Sequence, residues 1–272
     1  MSRPVAFVTG ASSGIGESLA LEFARRGYDL AICARRVDRL QAVAAASEKL
    51  GAAALALSCD VTQDADVEKA FAAAAQKFGR IDVVVANAGF SLVGKVEKFA
   101  LDGYRRVFET NIFGVIRTAK AAIPHLRATR GSFAVTGSVM GYVSTPGASA
   151  YCMSKFAVTS FAEAFRHEVA RDGISVTLVS PGFIATEIRA IGKDGKLIEG
   201  FVDPVPKYLN MPSVTAARII TRDIIRRRRD SVVTLHAKLA ICLARHFPKV
   251  LRFFIGISTN YNNQMLRKIE HT

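Results

Sequence analysis

Val5-Ala-Phe-Val-Thr9-Gly10-Ala11-Ser12-Ser13-Gly14-Ile15-Gly16 decides the fold. Four apolar residues precede a glycine-rich turn, and an apolar-periodic run, residues 15–26, follows it. That is a buried strand leading through a tight turn into a helix. Glycine lets the backbone bend sharply and approach a pyrophosphate. The helix start offers free N–H groups and the positive end of its dipole. The spacing Gly10-x3-Gly14-x-Gly16 differs from the more familiar G-x-G-x-x-G, so the strand-before, helix-after context carries the reading.

Outward from this stretch the pattern repeats. Strands are expected at 29–33, 53–59, 81–85, 132–136 and 174–179, and helices at 37–50, 65–78, 102–129 and 151–171. This alternation predicts an α/β single domain: a Rossmann-like, doubly wound parallel sheet with helices on both faces, binding its ligand at the carboxyl ends of the strands. Residues 1–216 form the expected nucleotide-binding catalytic domain. Residues 187–211, with Gly192, Gly195, Gly200, Pro204 and Pro206, read as a lid loop. Residues 217–272 read as a basic extension of the same domain.

The 272 residues are 50% hydrophobic and 22% charged, enough for a large core and too apolar for general disorder. Cys33, Cys59, Cys152 and Cys242 are scattered without metal-ligand spacing, which argues against a disulfide scaffold or a metal site. Met1-Ser2-Arg3-Pro4 runs directly into the first strand, so no signal peptide is expected and the location reads as cytoplasmic.

The end of the second strand bears on cofactor choice. Selection of NAD would place a carboxylate there for the ribose 2′-hydroxyl; this chain has Arg35-Arg36, which suit a 2′-phosphate. The expected cofactor is therefore NADP(H). Asp60-Val61 is placed to meet the adenine, and Asn87-Ala88-Gly89 to run beside a ribose, although both suit ordinary strand-end turns as well.

Tyr151 and Lys155 fall on one helical face. A phenol is a poor acid or base at neutral pH, and a nearby ammonium favours the phenolate, so the pair can work as an acid/base catalyst. Ser138, at the end of the preceding strand, can bond a carbonyl oxygen.

Taken together, Thr9-Gly-x3-Gly-x-Gly16, Asn87-Ala-Gly89, Asn111, Ser138, Tyr151-x3-Lys155 and Pro181-Gly182 resemble the short-chain dehydrogenase/reductase family across residues 5–186. The resemblance implies a catalytic tetrad of Asn111, Ser138, Tyr151 and Lys155. Tyr151 would protonate the carbonyl oxygen and Ser138 orient the substrate. Lys155 would hold the nicotinamide ribose and tune Tyr151, while Asn111 would hold a water in a proton relay. It also implies cofactor contacts from Gly10, Ser12, Ser13, Gly14, Ile15 and Gly16, and from Pro181, Gly182, Ile184 and Thr186 on the nicotinamide side. Family members with a basic residue where Arg35 stands prefer NADP. The implied reaction interconverts a carbonyl and an alcohol, and the implied assembly is a homo-oligomer, dimer or tetramer. A nucleotide-binding scaffold without turnover and a reductase of polar, sugar-like substrates remain the alternatives.

Charge is uneven. Lys+Arg 37 against Asp+Glu 23 gives +14, and +9 of that falls in residues 217–272. Arg226 to Arg229 precede an apolar stretch in which Lys238, Arg245, Lys249 and Arg252 fall within a sector of roughly 60°. A cationic stripe on an apolar helix suits peripheral membrane contact through 226–255, or packing on the protein body. Arginines without interleaved aromatics argue against nucleic acid. The apolar tail and loop make a steroid-, retinoid- or long-chain lipid-like substrate the leading expectation. Cys152, His125, His167, Tyr142, Pro146 and Phe183 read equally well as packing or pocket residues.

Overall fold

A computed structural model describes residues 2–190, 192, 198, 200–203 and 205–253. Gly195 and Pro204 of the expected lid, and the end of the basic stretch beyond residue 253, lie outside the described residues. The first half of the chain alternates β1 (Val5–Thr9), α1 (Gly14–Arg25), β2 (Asp29–Ala34), α2 (Val37–Glu48), β3 (Ala54–Ser58), α3 (Asp64–Phe78) and β4 (Val83–Ala86). Then come α4 (Leu101–Phe108), α5 (Gly114–Thr129), β5 (Ser132–Thr136), α6 (Ser149–Glu168) and β6 (Ser175–Ser180). The chain continues through β7 (Ile184–Ala185), β8 (Met211–Pro212), α7 (Ser213–Ile225), β9 (Asp230–Val232) and α8 (Leu235–His246).

Seven strands form one parallel sheet in the order β3-β2-β1-β4-β5-β6-β9. Both faces are covered, which explains why the strands read as continuous apolar runs. Phe7, Val84 and Ala86 point to one core, shared with Phe71 of α3, Ala119 of α5 and Phe165 of α6. Ala6, Val8, Val83 and Val85 point to the other, shared with Phe23 of α1, Leu40 of α2 and Ile220 of α7. Strand order reverses between β1 and β4, and the crevice at their carboxyl ends is where such sheets bind ligands.

Two differences from the expectation matter for the site. The helix expected at 102–129 is broken by a π-turn at Glu109–Phe113, a device common at functional positions, and this turn carries Asn111 inward. The division drawn at 216/217 falls inside α7, and β9 belongs to the main sheet, pairing Leu178 with Asp230 and Ser180 with Val232. Three of the four arginines between these elements bond the protein itself. Arg227 donates to Gly173 O and Arg130 O, while Arg228 pairs with Asp223 at 3.4 Å and Arg229 with Glu163 at 3.7 Å.

Asp223, buried on α7, joins the helix to β9 by accepting from Ser231 Oγ at 2.8 Å. Replacing it strands that hydroxyl and the flanking arginines. Asp223→Ala is expected to lower the unfolding free energy by about 2 kcal/mol in urea, in one cooperative transition. A separate early transition for this variant would show that α7 and β9 fold apart from the sheet.

Candidate active site

The glycine-rich turn is locked to the ends of neighbouring strands by hydrogen bonds. Thr9 Oγ1 accepts from the backbone N–H groups of Asn87 and Ala88, each at 3.0 Å. Asn87 Nδ2 donates to Thr9 O at 3.1 Å and Gly10 O at 3.3 Å, and Thr136 Oγ1 donates to Asn87 Oδ1 at 3.3 Å. Gly16 packs so closely on Gly10 O and Asn87 that a Cβ has no room. Asn87 thus acts as a structural clamp that shapes the cradle, with Ala88 and Gly89 continuing from it. Gly89 lies against Asn111 Oδ1 and Lys155 Nζ.

Arg36 folds over the turn, donating to Ser12 Oγ at 3.2 Å and Ser13 Oγ at 2.5 Å. Arg35 extends outward, with 73% of its side chain exposed and its guanidinium 4.0 Å from Asp60 Oδ2. Arg39 joins them: Glu187, just after Thr186, pairs with Arg36 at 3.2 Å and Arg39 at 2.8 Å. Burial works to raise the Glu187 carboxyl, and the two guanidiniums outweigh it, leaving the acid below its usual range. Arg39 was legible in principle, because it lies in the first turn of the helix that Arg36 caps. Asp60 Oδ1 accepts from Thr62 N and Oγ1, so one of its oxygens serves the strand-end turn. The side chains of Val61 and Ile184 are buried in the two cores, which leaves only their backbones for a ligand. Ile15 is partly buried, and Thr186 sits against Gly14.

The four candidate catalytic residues converge at the carboxyl edge of β4 and β5. Ser138 Oγ accepts from Met140 N at 3.1 Å and lies close enough to the Tyr151 phenol to pull its pKa down. Lys155 Nζ donates to Thr136 O at 2.7 Å and stands 5.5 Å from the Tyr151 ring centre. Asn111 is fully engaged. Its Oδ1 accepts from Phe90 N at 3.0 Å, and its Nδ2 donates to Phe90 O at 2.9 Å and Ser154 Oγ at 3.0 Å. Ser154 Oγ passes the chain on to Tyr151 O at 2.7 Å. Asn111 therefore positions the loop after β4 against α6. Ser154 and Thr136 were not singled out from the sequence.

Electrostatics correct one expectation. Burial pushes the Tyr151 phenol up to about 12, against a smaller downward pull from Ser138, and burial drives Lys155 down to about 8. In the protein alone, desolvation outweighs the expected depression of the phenol by the ammonium.

Pro181, Gly182 and Phe183 turn beside Ser138: Val139 N donates to Pro181 O at 2.9 Å. The remaining candidates are structural. Cys152 is buried, His125 stacks on Phe71 at 5.8 Å with burial lowering its pKa, and Tyr142 lies under Arg245 at 5.1 Å.

Comparison with known proteins agrees with this geometry. The short chain dehydrogenase family matches residues 4–195, and the chain belongs to this family of oxidoreductases. It is 38% identical over 237 residues to 11-beta-hydroxysteroid dehydrogenase A of Sesamum indicum, covering 83% of this chain and 66% of that protein. The chain spans less than two thirds of that relative's length. A putative oxidoreductase, SadH, of Mycobacterium tuberculosis is 34% identical over 247 residues, 89% of this chain and 90% of the relative. Among solved structures, a short-chain dehydrogenase from Sphingobium yanoikuyae in complex with NADPH is 31% identical, with a TM-score of 0.74 over 86% of this chain and 89% of that one.

Lys155 supplies a test of the buried charge. Below pH 8 the ammonium is charged in both folded and unfolded states, so the fold bears the full penalty of burying it. Between pH 8 and 10.5 the unfolded chain keeps a proton that the fold has shed, so this group's contribution to stability improves as pH rises. Urea unfolding without cofactor at pH 7 and 9.5 should move the wild-type minus Lys155→Met difference toward wild type by about 2 kcal/mol. An unchanged difference would contradict the depressed value.

Proposed function

We propose that the chain is an NADP(H)-dependent oxidoreductase that interconverts a carbonyl and an alcohol on a hydrophobic substrate. The observation that carries this reading is the Ser138–Tyr151–Lys155 group at the same sheet edge as the glycine cradle. The cradle fits a dinucleotide. Its N–H groups open α1, Ser12 and Ser13 line it, and Arg35, Arg36 and Arg39 offer positive charge where a 2′-phosphate would lie. Thr186, the Pro181–Gly182 turn and Lys155 would hold the nicotinamide half. When bound, the cofactor supplies or accepts the hydride. Ser138 orients the carbonyl oxygen, Tyr151 delivers its phenolic proton there, and Lys155 stabilises the resulting phenolate.

A hydrophobic substrate is supported by the half-exposed Phe183 beside the site and by the name of the Sesamum indicum relative. Phe113, Met153 and Phe156, exposed along the helices that carry Asn111 and Tyr151, support a homo-oligomer built on those helices. Among the described residues no helix is long and apolar enough to cross a membrane. Peripheral contact is supported instead by Leu235, Leu239, Phe247 and Val250, exposed beside Lys238, Lys249 and Arg252.

Cofactor fluorescence tests the core of this reading. Wild type should prefer NADPH to NADH. Arg35→Ala and Arg36→Ala should each weaken NADPH by about tenfold and leave NADH unchanged. Equal affinity for both cofactors would contradict the phosphate reading. Tyr151→Phe should keep NADPH binding and lose at least about a hundredfold in turnover; undiminished turnover would remove Tyr151 as the acid. Vesicles of phosphatidylglycerol and phosphatidylcholine should co-float wild type, and Leu235→Glu with Leu239→Glu should abolish it. Failure of wild type to float would remove the membrane contact alone.

A further inference from the structure

The Pro181–Gly182–Phe183 turn is held from three directions. Val139, next to Ser138, binds Pro181 O, and Met211 N of β8 donates to Phe183 O at 3.0 Å. The third hold comes from the C-terminal extension. Phe183 N–H donates to His236 Nε2 at 2.9 Å, and the two rings lie 5.2 Å apart, tilted by 30°. A Cβ on Gly182 would overlap His236 Nε2 and Thr234 Oγ1, so glycine is needed for this close approach. Thr234 caps α8 by accepting from Ala237 N at 3.3 Å, and its hydroxyl lies 3.0 Å from His236 Nε2.

An imidazole nitrogen that accepts from a backbone N–H must be unprotonated, so His236 is neutral with its proton on Nδ1. Burial lowers its pKa and favours that form. No other described group takes the Phe183 N–H, and the imidazole reaches it from 53 positions further along the chain. Arg245 of α8 also lies over Tyr142, in the segment that follows Ser138. The segment from Thr234 through α8 therefore touches two neighbouring segments at this edge, the one after Ser138 and the Pro181–Phe183 turn.

We propose that His236 is a positioning residue of the oxidoreductase: through Phe183 N–H it sets the turn that borders the nicotinamide side and makes α8 part of the catalytic unit. This rests on the reading above that the turn lines the cofactor site. His236 touches neither the tetrad nor the reacting atoms; it acts through Gly182 and Phe183. Glutamine can place Oε1 where Nε2 stands and accept the same bond, whereas phenylalanine keeps an aromatic surface and offers no acceptor.

The test uses the full chain in wild-type, His236→Phe and His236→Gln forms, with two readouts. Amide hydrogen exchange of the peptide containing Phe183, measured without cofactor, should be slow in wild type and His236→Gln and at least about tenfold faster in His236→Phe. Turnover of a hydrophobic ketone with NADPH should fall about tenfold or more in kcat for His236→Phe, with KM for the ketone within about threefold, and return with His236→Gln. Unchanged exchange in His236→Phe overturns the clamp whatever the enzyme does. Faster exchange with unchanged kcat, or kcat lost in both variants alike, overturns the positioning role. If wild type neither binds NADPH nor turns over, the proposed function falls and the positioning role falls with it, while the exchange result still reports the clamp.

Discussion

Asn87 bridges the ends of three strands. It donates to the backbone of β1 and of the following glycine turn, and accepts from Thr136 on β5. A parallel sheet ends in unpaired backbone groups, and these must be satisfied without filling the crevice that a ligand needs. Here Asn87 and Thr9 satisfy them from beneath, leaving the N–H groups at the start of α1 to face outward. The candidate catalytic group depends on the same knot, since Lys155 anchors on Thr136 O and Gly89 carries the chain past Lys155 and Asn111.

Two opposing demands meet at Tyr151 and Lys155. Burial disfavours the phenolate and the ammonium alike, raising one pKa and lowering the other. Burial also strengthens any interaction between the two charged forms once both exist. Ser138 opposes the rise in the phenol's pKa, while Asn111 and Ser154 fix the helix that carries it.

Most of the fold was legible because each strand of a doubly covered parallel sheet must be apolar on both faces, and each helix is bounded by turn residues. The candidate catalytic residues could be named because the chemistry proposed for them needs particular side chains, Tyr151 and Lys155 at helical spacing among them. The π-turn at Asn111 was hidden, since inserting one residue per turn leaves no mark on an apolar pattern that otherwise continues from 102 to 129. The partners of Arg227, Arg228 and Arg229 were not legible either: a charge run does not show in sequence which carboxylates and carbonyls the fold will bring to it. His236 carried no local signal. Its partner lies 53 residues away and is a backbone N–H, which every residue but proline presents.

The C-terminal segment is thus no appendage. β9 completes the sheet, Thr234 starts α8, and α8 returns to the catalytic edge. The central claim is that this edge transfers hydride to a carbonyl carbon while Tyr151 supplies the proton. It is tested most directly by incubating the full chain with NADPH deuterated at nicotinamide C4 and a hydrophobic ketone, then locating the label by mass spectrometry. The account predicts one deuterium on the carbinol carbon of the product. Across a panel of steroid, retinoid and long-chain ketones, an absence of any labelled alcohol from protein that binds NADPH would contradict it.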